Sequence, residues 1–333
     1  MNILVFGAGA IGSAFGGFLS KRHAVTLIGR KEHLEVIRKQ GLKVTGIWGR
    51  HTFHFHQLEK DARQLKPKSL PFDLVLITVK SYDTEKAAKA LRPLIHPQTL
   101  FISLQNGLGN IETLEKYLPK SRILAGRVIF GVELKKPGTI HVSVMVSPTA
   151  IGEVLHPREL TPRAIRISKI FEESKLPCRA VKNIQSFLWA KVIYNAALNP
   201  LASLLSSHYG FLGETALTRA IMEAVIKEIY AVAEKARIPL YPKNARGYQK
   251  LFYRKLLPRT YHHHPSMLQD LQRGKPTEIN ALNGMVVKLG RRFKVPVPFN
   301  AFLTKMIRGE EKKRAKKMRI RGGFSRSMAG RKG

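Results

Sequence analysis

The sequence has little cysteine, few acidic residues and no long hydrophobic run. Its one cysteine, Cys178, excludes a disulfide framework and a zinc site built on cysteine pairs, and fits a reducing compartment. No stretch of about 18 uninterrupted apolar residues occurs, so we expect no membrane-spanning helix. No basic residue precedes the apolar N-terminus, and glycines interrupt it, so we expect no signal peptide. These absences predict a cytoplasmic protein.

The scarcity of acidic residues leaves a large positive charge. The 58 Lys and Arg residues against 22 Asp and Glu give a net charge of +36, spread well beyond the basic C-terminus. Such a field favours anionic small molecules and also non-specific contact with nucleic acid. A chain of 333 residues that is 44% hydrophobic is long enough for two folded domains.

The hydrophobic pattern changes near residue 180. Before that point, continuous apolar runs alternate with helical segments, which predicts an α/β domain with a doubly wound parallel sheet over residues 1–180. The runs are NILVF after Met1, then 24–28, 72–79 and 99–104, with an antiparallel insertion at 42–48 and 51–55. Helical periodicity at 211–238, 278–294 and 300–307 predicts an all-helical domain over 181–309. Residues 310–333 are basic and poor in apolar residues, which predicts a disordered tail.

Three glycines follow the first predicted strand with dinucleotide-binding spacing. Gly7 permits a tight turn, Gly9 lets the backbone approach a pyrophosphate, and Gly12 lets helix and strand pack closely. The helix that follows points free N–H groups at the phosphates. The predicted cofactor-binding turn comprises Gly7, Ala8, Gly9, Ala10, Ile11 and Gly12.

The end of the second strand carries a cation. An NAD-specific site would place an acidic residue there, but Arg30 and Lys31 hold the position and the first acid is Glu32. A cation at this point suits the 2′-phosphate of NADP(H). The alternative is that Arg30 is an ordinary surface arginine of a basic protein.

Two further candidates end predicted parallel strands, where doubly wound folds bind ligands. Lys80 ends LVLITVK, and Asn106 ends LFISLQN before Gly107. A solvated lysine and an ordinary Asn-Gly turn are the alternatives.

A polar stripe runs along the apolar segment WAKVIYNAALNPLASLL. Lys191, Asn195 and Asn199 are four residues apart, so on a helix they drift by only about 40° per step and share one face. A buried unpaired amide costs roughly 1–3 kcal/mol, so another polar element, water or a ligand must satisfy the stripe. A capped, partly solvated face is the alternative. Pro200 is expected to kink or end the helix nearby.

Downstream, Glu278 is predicted to open a helix, either as an acid favoured by the helix dipole or as the partner of the lysine amine. His262, His263 and His264 are consecutive, so their side chains point different ways, and no second ligand cluster accompanies them. We therefore predict no metal site.

Taken together, GAGAIG, VK, QNG, WAKVIYNAALNP and SMLQD…TEINALNG resemble the ketopantoate reductase family over residues 1 to 308. The resemblance implies an N-terminal Rossmann-type domain, a helical C-terminal domain and reduction of ketopantoate by NADPH in pantothenate and coenzyme A synthesis. Within it, Lys191 would be the general acid, and Glu278 would lie near that lysine and the nicotinamide ribose. The substrate residues would be Asn106, Lys191, Asn195, Asn199 and Ser266, and the cofactor residues would include Arg30, Lys80, Asn106 and Glu278.

The sequence departs from the family pattern at two places. An Asn-Gly pair expected after the catalytic helix is Tyr209-Gly210, and HHHP precedes Ser266. These departures leave an alternative open, namely that the chain is a relative of this family that acts on another branched 2-oxo or 2-hydroxy acid. A non-enzymatic dinucleotide sensor that binds nucleic acid through its basic surface is a further alternative. No recognition-helix signature accompanies the basic tail, so we expect no specific nucleic-acid partner. We expect the partner to be a small-molecule substrate and not a membrane. A homodimer is compatible with the sequence.

Overall fold

The computed structural model describes residues 1–65 and 71–329. The strands are β1 Asn2–Phe6, β2 Ala24–Ile28, β3 Leu42–Gly46, β4 His51–Phe53, β5 Gln57–Glu59, β6 Leu74–Ile77, β7 Leu100–Ser103, β8 Ile123–Arg127, β9 Phe130–Lys136, β10 Thr139–Met145, β11 Thr149–Glu153 and β12 Cys178–Ala180. The helices are α1 Ala10–Leu19, α2 Lys31–Gln40, α3 Thr84–Leu91, α4 Asn110–Leu114, α5 Pro162–Glu173, α6 Ile184–Leu204, α7 Tyr209–Glu214, α8 Ala216–Lys235, α9 Ala245–Leu251, α10 Ser266–Gln272, α11 Asn283–Phe293 and α12 Pro298–Ala329. Among the described helices, none is long and apolar enough to cross a bilayer.

The chain divides into two compact units, the first ending at Leu188 and the second beginning at Trp189. The first unit contains an eight-stranded sheet in the order β12-β11-β8-β7-β6-β1-β2-β5. The six strands from β8 to β5 are parallel, as the sequence predicted, whereas β11 pairs antiparallel with β8. The α/β class of this unit and the helical character of the second are confirmed.

Alternating strand residues build a core on each face of the main sheet. Ile3 and Val5 of β1 pack on one side with Phe15 of α1. Leu4 packs on the other side with Ala88 of α3. Because both faces are covered, the strands are apolar throughout, which explains the continuous runs in the sequence.

The predicted antiparallel insertion is present as β3 and β4. It belongs to a second sheet in the order β4-β3-β10-β9, in which β3 also pairs in parallel with β10. This long-range pairing follows from the fold and could not be recognised in residues 42–55 alone.

One predicted helix is two helices. The sequence predicted a single helix over 211–238, but α7 and α8 meet at Thr215, whose backbone is extended. The Thr215 hydroxyl accepts a hydrogen bond from the N–H of Thr218 at 3.1 Å. A threonine that caps a new helix in this way competes with continuation of the old one.

The C-terminal segment also differs from the expectation. Disorder was predicted from Glu310, whereas α12 continues through Ala329. The Glu310 carboxylate accepts hydrogen bonds from Arg314 at 2.6 Å and from Lys313 at 3.3 Å, which are favourable pairs one turn apart. Residues 330–333 of the predicted tail lie outside the described residues.

Candidate functional site

The glycine turn between β1 and α1 has two glycines that the protein's own packing requires. Gly7 has a φ of +118°, and a Cβ there would lie 2.7 Å from the backbone nitrogen of Val79. A Cβ on Gly12 would lie 2.2 Å from the carbonyl oxygen of Gly7. The Thr78 hydroxyl donates to that same carbonyl at 2.8 Å, which ties the turn to the end of β6.

Gly9 is different, because nothing in the described part of the chain excludes a side chain there. It is exposed, and no heavy atom of residues 1–65 and 71–329 lies within 4 Å of the position a Cβ would take. It is also the N-cap of α1, where no side chain caps the helix and no acidic residue occupies the first turn. An open, uncapped helix N-terminus beneath a glycine fits the pyrophosphate of a dinucleotide. Ala8 is buried under this turn, and Ala10 and Ile11 are half-buried within it.

Arg30 follows β2 and forms the N-cap residue of α2. Its side chain is exposed and makes no hydrogen bond or ion pair within residues 1–65 and 71–329. The cation at the end of β2 is therefore available to a ligand.

Lys80 and Asn106 follow the adjacent strands β6 and β7, and both are half-buried. The sheet order thus brings the glycine turn, Lys80 and Asn106 to one edge of the first unit, at the carboxyl ends of β1, β6 and β7. This is the edge where doubly wound folds bind their ligands.

A buried polar network positions these two loops. The Gln105 amide donates to the Val79 carbonyl at 3.1 Å and to the Thr84 hydroxyl at 2.7 Å. Thr84 in turn donates to Asn110 at 2.9 Å, and the Asn110 amide donates to the Asn106 carbonyl at 2.8 Å. The network was not predicted from the sequence, although a glutamine directly after a buried strand is a signal for one.

Arg127 is a further cation near the strand ends that was not predicted from the sequence. It ends β8, next to β7, and is 9% exposed. Burial, with the neighbouring charge of Arg179, lowers its pKa to about 10. Its guanidinium packs over the Phe187 ring at 5.3 Å and donates to the Ser147 hydroxyl at 3.2 Å.

In the second unit, α6 carries the polar stripe as the spacing predicted. Lys191 and Asn195 are half-buried, and Asn199 is 5% exposed. The Asn195 amide makes no hydrogen bond with the protein in the described part of the chain, so its donors and acceptor remain for a ligand or water.

Pro200 lies inside α6, which continues to Leu204. A proline cannot donate to the carbonyl four residues earlier, which is that of Ala196. The Asn283 amide replaces the missing donor, at 3.1 Å from the Ala196 oxygen, and also donates to Asn300 at 3.0 Å. Asn283, which is distant in sequence, thus supplies the hydrogen bond that Pro200 cannot make, and α6 continues beyond its proline.

The end of the stripe contacts Tyr209, the first departure from the family pattern. The buried Tyr209 hydroxyl donates to Oδ1 of Asn199. Five residues before Asn199 on α6, the Tyr194 hydroxyl shares a hydrogen bond with the Thr260 hydroxyl. Asn199 is therefore partly satisfied by the protein itself.

Glu278 is not at the start of a helix, contrary to the sequence prediction. It lies in a turn five residues before α11, with its carbonyl accepting from the N–H of Ala281 at 3.0 Å. The helix-dipole explanation for this acid is thus excluded. The Glu278 side chain is 8% exposed, which is unusual for a carboxylate. Ser266 is the first residue of α10 and is exposed.

The consecutive histidines pack against aromatic rings. The His208 ring lies 6.0 Å from that of His262 and 6.2 Å from that of His264, and the Tyr209 ring lies 5.2 Å from that of His263. No group of three or more His, Cys, Asp and Glu side chains in the described part of the chain could hold a metal ion.

Comparison with known proteins shows the family. The model described as "Ketopantoate reductase PanE/ApbA" matches residues 3–155, and that described as "Ketopantoate reductase PanE/ApbA C terminal" matches residues 183–311. The 2-dehydropantoate 2-reductase of Aquifex aeolicus (strain VF5) is 38% identical over 315 residues, covering 93% of this chain and 97% of that protein. The enzyme of the same name from Pyrococcus abyssi (strain GE5 / Orsay) is 31% identical, covering 95% and 100%.

Solved structures agree with the sequence relatives. A PanE/ApbA family ketopantoate reductase from Ralstonia eutropha JMP134 superposes with a TM-score of 0.84 at 30% identity, covering 94% of this chain and 99% of that one. D-Mandelate dehydrogenase in a ternary structure with NADH and anilino(oxo)acetate gives the same TM-score at 26% identity and the same coverage. Both halves of the chain thus match one family of dinucleotide-dependent oxidoreductases, and the chain belongs to the ketopantoate reductase family.

Proposed function

We propose that this protein reduces 2-dehydropantoate (ketopantoate) to pantoate with NADPH, in pantothenate and coenzyme A synthesis. The observation that carries the proposal is the face of α6, where one amine and two amides, Lys191, Asn195 and Asn199, are aligned in a buried helix. The names of the relatives support the substrate. We assign cofactor binding to residues 1–180 and catalysis to residues 181–309.

Lys191 is proposed as the general acid. Reduction of a carbonyl places negative charge on its oxygen, and a half-buried ammonium both stabilises that charge and donates the proton. The Asn195 amide, which has no protein partner in the described structure, orients the substrate next to it. Asn199 and the Ser266 hydroxyl complete the polar contacts, with Ser266 assigned to the carboxylate. Glu278 is proposed to hold the lysine charged and oriented.

The first unit would hold the cofactor. Bound NADPH supplies the hydride that reduces the carbonyl carbon. The open N-terminus of α1 at Gly9 would receive the pyrophosphate, and the exposed Arg30 guanidinium would pair with the 2′-phosphate. Lys80 and Asn106 at the adjacent strand ends would contact the remainder of the cofactor, with Asn106 also reaching the substrate.

A second candidate is reduction of a different 2-oxo acid. The structural likeness to D-mandelate dehydrogenase and the presence of Tyr209 at the end of the polar stripe favour testing it. The chemistry and the role of Lys191 would be the same, and only the group next to the 2-oxo acid would differ.

The deciding experiment measures NADPH oxidation with ketopantoate, phenylglyoxylate and a panel of branched 2-oxo acids. We expect ketopantoate to give the highest kcat/KM. Lys191→Ala should lower kcat by about 100-fold or more, with NADPH binding retained, because a general acid contributes roughly that much. Lys227→Ala, at an exposed lysine of α8, is the matched control.

Higher kcat/KM on another acid would replace the proposed substrate. Near-normal turnover by Lys191→Ala would contradict the general-acid role. Absence of turnover on every acid, together with salt-dependent nucleic-acid binding by the wild type, would instead favour the non-enzymatic alternative.

A further inference from the structure

The two departures from the family pattern pack against each other in the second unit. The N–H of Tyr209 donates to the His263 carbonyl at 3.0 Å, and the N–H of Gly210 donates to the Tyr261 carbonyl at 2.8 Å. A Cβ on Gly210 would lie 2.3 Å from the Tyr261 ring, so only glycine allows this approach. The start of α7 is therefore fixed against the segment that leads to α10.

This packing places the Tyr209 side chain at the end of the α6 stripe. The residue is 3% exposed, and its ring lies 5.2 Å from the His263 ring and 6.0 Å from the Tyr194 ring. Burial raises the pKa of the Tyr209 hydroxyl well above its usual range, so the hydroxyl keeps its proton. It is a hydrogen-bond donor at every pH at which the enzyme would be assayed.

The direction of the hydrogen bond between Tyr209 and Asn199 follows from the number of partners available to the Tyr209 hydroxyl. Asn199 is the only hydrogen-bond partner of the Tyr209 hydroxyl in the described structure. If the Asn199 amide were flipped, the hydroxyl would accept from Nδ2 and its own proton would be buried without an acceptor, which is costly. The favoured arrangement has the hydroxyl donating to Oδ1.

That arrangement fixes what Asn199 can offer a ligand. Its acceptor, Oδ1, is used by Tyr209, while Nδ2 has no acceptor among the described residues. An amide held in this way presents N–H donors only. Asn199 also lies two turns from Lys191, about 12 Å along the helix axis, so it would meet a different part of the substrate from the reacting carbonyl.

We propose that Tyr209 is a positioning residue that locks the Asn199 amide as a donor to an acceptor oxygen of the substrate. The inference rests on the proposed function and deepens it, since it states what the second amide recognises. The oxygen is either the substrate carboxylate or a hydroxyl beyond the carbonyl, and both accept a hydrogen bond from an amide N–H.

The test uses Tyr209→Phe, which removes only the hydroxyl. We expect KM for ketopantoate to rise about threefold to tenfold, the size of one hydrogen bond, with kcat and NADPH binding changed less than about twofold. Tyr230→Phe is the matched control, because Tyr230 is also a buried tyrosine of this unit and its hydroxyl bonds to the Pro242 carbonyl at 2.8 Å. It should leave KM unchanged.

A double-mutant cycle separates positioning from general destabilisation. If Tyr209 acts through Asn199, then adding Tyr209→Phe to Asn199→Ala should raise KM no further. The proposal is overturned if Tyr209→Phe leaves KM unchanged, or if its effect persists in full in the Asn199→Ala background.

A matched substrate distinguishes the two oxygens. The acid 3,3-dimethyl-2-oxobutanoate differs from ketopantoate only by the missing hydroxyl. A larger effect of Tyr209→Phe on ketopantoate assigns the contact to the hydroxyl, whereas equal effects on both acids assign it to the carboxylate. If the wild type prefers another acid, the same cycle is run on that acid. The proposed substrate, ketopantoate, can then prove wrong while the double-mutant cycle still tests the role of Tyr209.

Discussion

Arg30 is the residue on which cofactor preference is expected to depend. Its exposed guanidinium has no protein partner in the described structure, so replacing it changes little within the fold. Arg30→Asp should raise the Kd for NADPH by about 10- to 100-fold, because a charge-assisted bond is lost and repulsion added, while the Kd for NADH changes about threefold or less. Fluorescence titration with both cofactors measures this.

The matched control for Arg30 is Lys39→Asp, which makes the same charge change at the other end of α2. It should leave both affinities close to those of the wild type. Equal losses for NADPH and NADH in Arg30→Asp would contradict the assignment of a 2′-phosphate contact.

His33 should make stability depend on pH. It is 3% exposed, its Nδ1 accepts from the N–H of Gly138 at 2.9 Å, and its Nε2 donates to the Ser13 hydroxyl at 2.9 Å. Burial lowers its pKa from 6.5 to about 4. Because the unfolded chain then binds the proton first, the free energy of unfolding should fall as the pH drops from about 6.5 towards 4, and this effect should be absent above that window.

Urea unfolding of the wild type and His33→Gln, near neutral pH and at about pH 5, measures the His33 effect. The wild type should lose about 1–2 kcal/mol more than the variant over that interval. His54→Gln, at an exposed histidine, should behave like the wild type. Identical pH profiles for wild type and His33→Gln would refute the prediction.

At the scale of the element, variants of the turn from β1 to α1 are expected to affect either the proposed dinucleotide binding or the stability of the fold, depending on which glycine is replaced. Gly9→Ala should leave Tm nearly unchanged, because its Cβ enters open space, and should weaken dinucleotide binding by about tenfold or more. Gly12→Ala should destabilise the fold by about 2 kcal/mol or more, because its Cβ meets the Gly7 carbonyl. Thermal unfolding and cofactor titration of both variants provide the comparison, and a large Tm loss in Gly9→Ala would be the contrary result.

The proline in α6 predicts a coupling between two elements. Asn283→Ala should cost about 1–3 kcal/mol, since the Ala196 carbonyl loses its donor inside the core. In a Pro200→Ala background the new N–H at position 200 can reach that carbonyl, so the cost of Asn283→Ala should shrink by about 1 kcal/mol. Urea unfolding of the two single variants and the double variant measures the coupling, and strict additivity would show that Asn283 does not replace the missing donor.

For the whole molecule, the net charge of +36 should act on the substrate. The field attracts an anionic 2-oxo acid, and salt screens it with a Debye length of about 10 Å at 0.1 M. KM should therefore rise severalfold between low salt and about 0.3 M NaCl, with kcat changing less. An uncharged sugar at equal osmolality is the control. A KM that does not change with salt concentration would show that the positive charge lies too far from the site to attract the substrate.

Local features were predictable because their causes are local. The bounds of β2 and the glycine turn follow from apolar runs and from the steric needs of Gly7 and Gly12. The features that were missed depend on distant residues: the Asn283 amide donates to a carbonyl 87 positions away, and the loop around Asn106 depends on a buried network. The turn at Glu278 was mistaken for a helix start because apolar periodicity continues through it. The common face of α6 was predictable, whereas the use of Asn199 by Tyr209 was not.

The open space above Gly9 has an evolutionary consequence. Folding constrains Gly7 and Gly12, whereas a Cβ on Gly9 would meet no described atom, so the proposed dinucleotide would be the constraint that applies to Gly9. In a descendant that had abandoned dinucleotide chemistry, alanine or serine should therefore accumulate at position 9 while the flanking glycines persist. The residue at position 9 would then distinguish a relative that still binds a dinucleotide from one that retains only the fold.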